Sequence, residues 1–90
     1  MGVLYLLSKG ATARKDGGRL VIEKENQLVG RMPIRSLTSI VVGAAANIST
    51  PAVFACLENN IPIFFLNKKW QLLGQLTNEH VSVAVIRQQF

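Results

Sequence analysis

Short apolar runs separated by turn residues fill the first half of the chain. Val3–Leu7 is unbroken, too short for a stable helix and closed by Ser8-Lys9-Gly10, so it predicts a strand. Ala11–Lys15 leads into Asp16-Gly17-Gly18, where glycine supplies the positive φ that a tight hairpin needs. Leu20–Lys24 and Gln27–Met32 predict a second hairpin about Glu25-Asn26, and Pro33, with no N–H to donate, ends it. Leu37–Val42, rich in β-branched residues, predicts another strand, ended by Gly43. Ile61–Leu66 and Leu72–Leu76 predict two more, joined by Asn67-Lys68-Lys69-Trp70-Gln71.

One helix is clearly signalled. Thr50 is placed to cap it, Pro51 suits its first position, and Val53, Cys56 and Leu57 share an apolar face with Phe54 beside it. Asn59-Asn60 ends it, since asparagine tolerates the left-handed conformation. Beyond Thr77, Val81, Val85 and Ile86 fit the first turns of a second helix. The expected fold class is α+β and mostly β: seven or so short strands in two packed small sheets, with one clear helix over about residues 50–59. Leu4, Leu6, Val21, Ile40, Val42, Val53, Leu57, Ile63 and Phe65 are the expected core.

Composition changes this picture in one respect. The 90 residues allow a single small domain, and charged residues are only 17% against a usual ~25%. With 49% hydrophobic residues, disorder is excluded, and apolar surface is left over for a partner or for further parts of a longer protein. The lone Cys56 excludes a disulfide scaffold and a cysteine zinc site, and fits a reducing compartment. Residues 36–57 carry no charge, but Thr38-Ser39, Asn47 and Ser49-Thr50-Pro51 break them into two buried elements rather than a membrane span. The N-terminus lacks the marks of a signal peptide, and Leu6 stands where a myristoylation motif needs Ser or Thr. The expected location is the cytoplasm, with no membrane contact.

The net charge is +5, with seven of the ten basic residues before position 36. That balance points to a polyanion partner. Catalytic constellations are missing: His80 is a lone surface histidine, and Gly17-Gly18 is turn chemistry. Glu23 and Glu25 flank Lys24 and could hold magnesium, though such pairs are far more often a solvated face. No catalytic or metal-binding residue is assigned, and the chain is expected to be inert alone. The stronger lead is cationic. Lys9, Arg14, Lys15 and Arg19 flank neighbouring bends and are expected to cluster, and Lys68 and Lys69 form a second basic tip. Trp70 beside them either stacks on a base or folds back on the sheet, the latter being the preferred reading.

Taken in order, Leu4-Tyr5-Leu6, Gly10, Asp16-Gly17-Gly18-Arg19-Leu20-Val21-Ile22, Met32-Pro33-Ile34, Ile40-Val41-Val42-Gly43, Ile48-Ser49, Ala52–Leu57 and Ile61–Leu66 resemble the N-terminal domain of the CRISPR-associated endonuclease and integrase family, Cas-one. Residues 83–88 are similar to the start of that family's helical domain. The resemblance implies a β-rich domain over residues 1–78 and the opening of the helical domain over 79–90, as in a fragment of a longer protein. It implies a homodimer that clamps duplex or forked DNA without sequence specificity. For the full-length parent it implies a nuclease of spacer acquisition and antiviral defence, dependent on Mg or Mn and working with the small partner Cas-two. The family's catalytic Glu, His and Asp belong to the helical domain, and none maps onto this chain. The family commonly has glycine in the tip where this chain has Lys69-Trp70-Gln71.

Two other readings stay open. A small basic RNA-binding β module needs aromatics exposed on a sheet face, whereas Phe64 and Phe65 lie in a run that reads as buried. A pure dimerisation domain needs no nucleic-acid contact at all.

Overall fold

A computed structural model describes residues 2–78. The strands are β1 (Gly2–Leu6), β2 (Ala11–Asp16), β3 (Arg19–Lys24), β4 (Gln27–Pro33), β5 (Leu37–Val42), β6 (Asn47–Ile48), β7 (Ile63–Leu66) and β8 (Leu72–Leu76), with the helix α1 (Thr50–Glu58) between β6 and β7. They form two four-stranded sheets, ordered β1-β5-β7-β8 and β4-β3-β2-β6. The fold is therefore α+β and mostly β, as the turn spacing predicts. The expected second helix and His80 lie outside the described residues.

The hairpins form where the turn chemistry places them. Gly17 takes a φ of 62°, and Asp16 pairs with Arg19 across the turn. Glu25 and Asn26 both take positive φ, the requirement of a type I′ turn, and Lys24 pairs with Gln27. Less local is the first sheet, in which β1, β5 and β7 run parallel and only β8 is antiparallel. The whole β2–β4 meander is thus inserted between two parallel neighbours, and β6 is a two-residue strand parallel to β2 that turn spacing does not reveal.

The cap is Ser49, not Thr50. The Ala52 amide donates to Ser49 Oγ at 3.3 Å, the N3 contact that an N-cap hydroxyl accepts, and Thr50 is already helical. At the other end Asn60, at φ 59°, lets Ile61 N–H donate to the Cys56 carbonyl at 2.8 Å and its own N–H donate to Leu57 at 3.1 Å. Those two bonds make a Schellman stop.

One core cluster joins both sheets and the helix: Leu6, Ile40, Val42 and Ile63 from the first sheet, Ala11, Ala13, Leu20 and Ile22 from the second, Ala52, Ala55 and Cys56 from α1. The helix face differs from expectation. Alanines and the cysteine are buried, while Val53 is half-buried and Leu57 lies outside the cluster. α1 packs against β2, whose inward residues are themselves Ala11 and Ala13, so small side chains on both surfaces set a close approach. Leu4 and Phe65 pack on the cluster from its margin. Val21 is buried on the opposite face of its sheet. No described helix is long and apolar enough to cross a membrane.

Candidate nucleic-acid interface

Alternation along the strands sorts the cations into three places. In the β4-β3-β2 ladder Ala13 faces Ile22 inside the core, so Arg14, one residue on, faces outward opposite Val21. Arg31 flanks Val21 from the other side, and Arg19 lies in the next outward row between Asp16 and Pro33. Val21 is only 3% exposed on this solvent face, the burial that long arginine stems give an apolar residue between them. The Arg14 Nε donates to Glu23 Oε1 at 2.7 Å, the one ion pair among the described residues. That hydrogen bond, then the charge of Glu23, raises the arginine's pKa, so Arg14 is committed to a carboxylate. Three arginines on this face stand against Asp16 and Glu23.

Lys15 faces the other way from Arg14. It borders a polar cavity of about 250 Å³ with Arg35, Glu58 and Asn59, at the C-terminal end of α1. The helix end and Glu58 make that cavity less favourable to an anion than its two cations alone would be.

The third place is the end of the first sheet where the parallel strands β1, β5 and β7 all finish. Three loops meet there: residues 7–10, 43–46 and 67–71. The Gly43 amide donates to Leu6 O at 2.8 Å and the Gly10 amide to Ala45 O at 2.9 Å. A side chain at Gly43 would bring its Cβ to 3.3 Å from the Leu7 Cα, a tight contact that glycine spares where the first two loops touch. Leu7, Ala44, Ala45, Asn67, Lys68 and Trp70 then bound a depression of about 180 Å³. Lys9, Lys68 and Lys69 are exposed on these loops, which carry no carboxylate. A larger cavity of about 510 Å³ adjoins, walled by Val42, Ile48, Phe65 and Leu73 with Asn47 and Lys68 at its polar side.

The expected cluster of Lys9, Arg14, Lys15 and Arg19 is thus not formed. Lys9 and the Gly17–Gly18 turn lie at opposite ends of β2, roughly 20 Å apart at about 3.3 Å per residue. Lys9 lies instead at the same end of the first sheet as the loop of Lys68 and Lys69, while Arg14 and Arg19 share a face with Arg31, which sequence reasoning passed over. Trp70 is 64% exposed and does not fold back on the sheet. Among the described residues no three of His, Cys, Asp and Glu come together to hold a metal ion. Glu23 is tied to Arg14, Glu25 sits in a turn, and Glu58 ends the helix.

The sequence model of the CRISPR associated protein Cas1 family matches residues 4–90. The chain is 35% identical over 71 residues to the CRISPR-associated endonuclease Cas1 1 of Thermus thermophilus, which covers 79% of this chain and 22% of that protein. The chain therefore spans about a fifth of that relative's length. Among solved structures, a chain of a partial Cas6-RT-Cas1–Cas2 complex superposes with a TM-score of 0.78 at 18% identity, over 92% of this chain and 25% of that one. A TtCas1–DNA complex superposes with a TM-score of 0.70 at 20% identity, over 88% of this chain and 30% of that one. At those identities the superpositions establish the shared fold.

Proposed function

The chain belongs to the Cas1 family of CRISPR-associated proteins, and on that premise we propose that its β-rich part pairs two subunits and clamps DNA through the backbone. The observation that carries the DNA reading is the meeting, at one end of the parallel strands, of the loops that bear Lys9, Lys68 and Lys69, with no carboxylate on those loops. Cations so placed neutralise phosphates and position a duplex or fork without reading its bases. The arginine face is the weaker site, because Asp16 and Glu23 offset two of its three charges. The relatives solved with DNA and with Cas2 support the same partners for the full-length parent. That parent would act as a DNA endonuclease and integrase of spacer acquisition, with Mg or Mn. The described residues do not fit such a metal, and its ligands are assigned to the helical part of the family.

Three phosphate contacts imply a log–log salt slope of about −2.7, or roughly 40-fold weaker binding between 50 and 200 mM salt. Replacing Lys9, Lys68 and Lys69 together by Ala is expected to flatten that slope nearly to zero, read by fluorescence anisotropy on labelled duplex. Arg14→Ala is expected to change it by less than one contact's worth, and Glu23→Gln to tighten binding by freeing Arg14. An unaltered slope in the triple variant would leave these lysines as solubility charges and return the chain to the pure dimerisation reading.

The pairing proposal is supported by exposed apolar residues on open sheet edges. On β8, Leu73 is 73% exposed and Leu72 and Leu76 are also open to solvent, while Val3 and Tyr5 are exposed on β1. Both are edge strands with backbone groups available for pairing. Tyr5, Val41 and Phe64 form an apolar row on the outer face of this sheet, two aromatics separated by a valine, and no basic residue stands in that row or pairs with it. That row suits an apolar contact better than the face of an RNA-binding module. Analytical ultracentrifugation at ~100 µM is expected to find a dimer. A purely monomeric species there would limit the affinity to millimolar, about 4 kcal/mol, and overturn the pairing.

A further inference from the structure

We propose that Trp70 is a stacking platform for an unpaired base, so that this end of the sheet favours single-stranded or frayed DNA over blunt duplex. The inference deepens the DNA reading above and rests on it. Trp70 takes a φ of 63°, a conformation that residues with a bulky side chain rarely adopt. The loop imposes it: Asn67 Oδ1 accepts from the amides of Lys69 at 2.9 Å and Gln71 at 3.0 Å, and the Trp70 amide donates to Asn67 O at 3.0 Å. Glycine would satisfy this backbone without steric cost, and a polar residue would expose less apolar surface. Fold stability therefore does not account for a tryptophan here, and an observed backbone outlier of this kind points to use.

What the loop achieves is to hold a 64% exposed indole beside two lysines. Aromatic faces stack on any base, and adjacent cations track the strand that carries it. The depression of about 180 Å³ next to Trp70 has small, mostly apolar walls at Leu7, Ala44 and Ala45, a surface for the second face of a flat group. A protein partner fits less well. The cores of protein interfaces are depleted of lysine, and covering Trp70 would desolvate Lys68 and Lys69 with no carboxylate on this loop to meet them.

Trp70 is the only tryptophan in the chain, so its emission reports this site alone. A short oligothymidylate at low salt is expected to quench it, and a blunt duplex of equal length to quench it much less. Trp70→Ala is expected to weaken oligothymidylate binding about 10-fold or more with the salt slope unchanged, and Trp70→Phe to recover part of the loss. Far-UV circular dichroism of both variants checks that they fold. Oligothymidylate that binds by anisotropy while Trp70 emission stays constant would overturn stacking and leave the DNA clamp standing. Failure to bind any DNA would remove both. Emission that follows protein concentration instead of DNA would assign Trp70 to a subunit contact and overturn the proposal as well.

Discussion

Leu20→Ala is expected to destabilise the fold by about 2–5 kcal/mol, the range for emptying a fully enclosed leucine site. Leu20 has no exposed surface and belongs to the cluster that joins the two sheets, with Met32 opposite it on β4. A chain of this length has roughly 0.05–0.15 kcal/mol of stability per residue, so the substitution removes a large share of the whole. Urea unfolding followed by far-UV circular dichroism is the measurement, with Leu73→Ala beside it. Leu73 lies on an open edge, and at protein concentrations low enough to keep the chain monomeric its loss is expected to change stability by no more than about 0.5 kcal/mol. A loss below 1 kcal/mol at Leu20 would mean that the sheets do not close around it.

The contrast between Leu20 and Leu73 marks where sequence reading succeeds. Both sit in apolar runs bounded by turns, and both are strands, because turn chemistry is local: Gly17, Glu25 and Asn26 announce their hairpins within a few residues. Which face a strand buries needs the register as well. If the β3–β4 hairpin continued unbroken from Lys24–Gln27, Arg31 would stand opposite Leu20 and point into the core. One extra residue, Val29, sits between the pairs Ile22–Gly30 and Glu23–Leu28. That bulge turns Arg31 outward beside Val21 and Met32 inward beside Leu20. An alternating pattern read without it misses Arg31 as a surface cation.

The basic loop cluster was hidden for a different reason. The loops of Lys9 and Lys68 share one end of the sheet because β1, β5 and β7 are parallel, and parallel pairing joins segments far apart in the chain with no turn to signal it. Reading neighbours in sequence as neighbours in space grouped Lys9 with Arg14 instead. The helix was legible from Pro51 to Asn59, yet its packing face was not. Hydrophobic weight favours Val53 and Leu57, whereas contact with Ala11 and Ala13 on β2 selects Ala52, Ala55 and Cys56 for closeness.

Cys56, at the centre of that close contact, is expected to resist alkylation in the folded protein by about 100-fold relative to the unfolded chain at pH 8. Burial pushes its thiol up to about 11, because the thiolate would lose its hydration on the packed face of α1. Only the thiolate attacks iodoacetamide, and at pH 8 such a thiol is about 0.1% ionised against about a tenth for an unperturbed one near 9.0. Labelling in denaturant supplies the reference rate, and a folded protein that labels as fast would show that the helix does not sit closely on β2. The same shift fixes the sign of the alkaline response. A group whose folded pKa is raised holds its stability below the unfolded pKa and loses it as pH climbs to the folded one. Stability is therefore expected to fall between about pH 9 and 11, by on the order of 2–3 kcal/mol from this thiol. Cys56→Ala isolates that loss. The variant lacks the buried thiol, so its stability is expected to decline more gently with pH, and identical pH profiles would place the alkaline loss elsewhere.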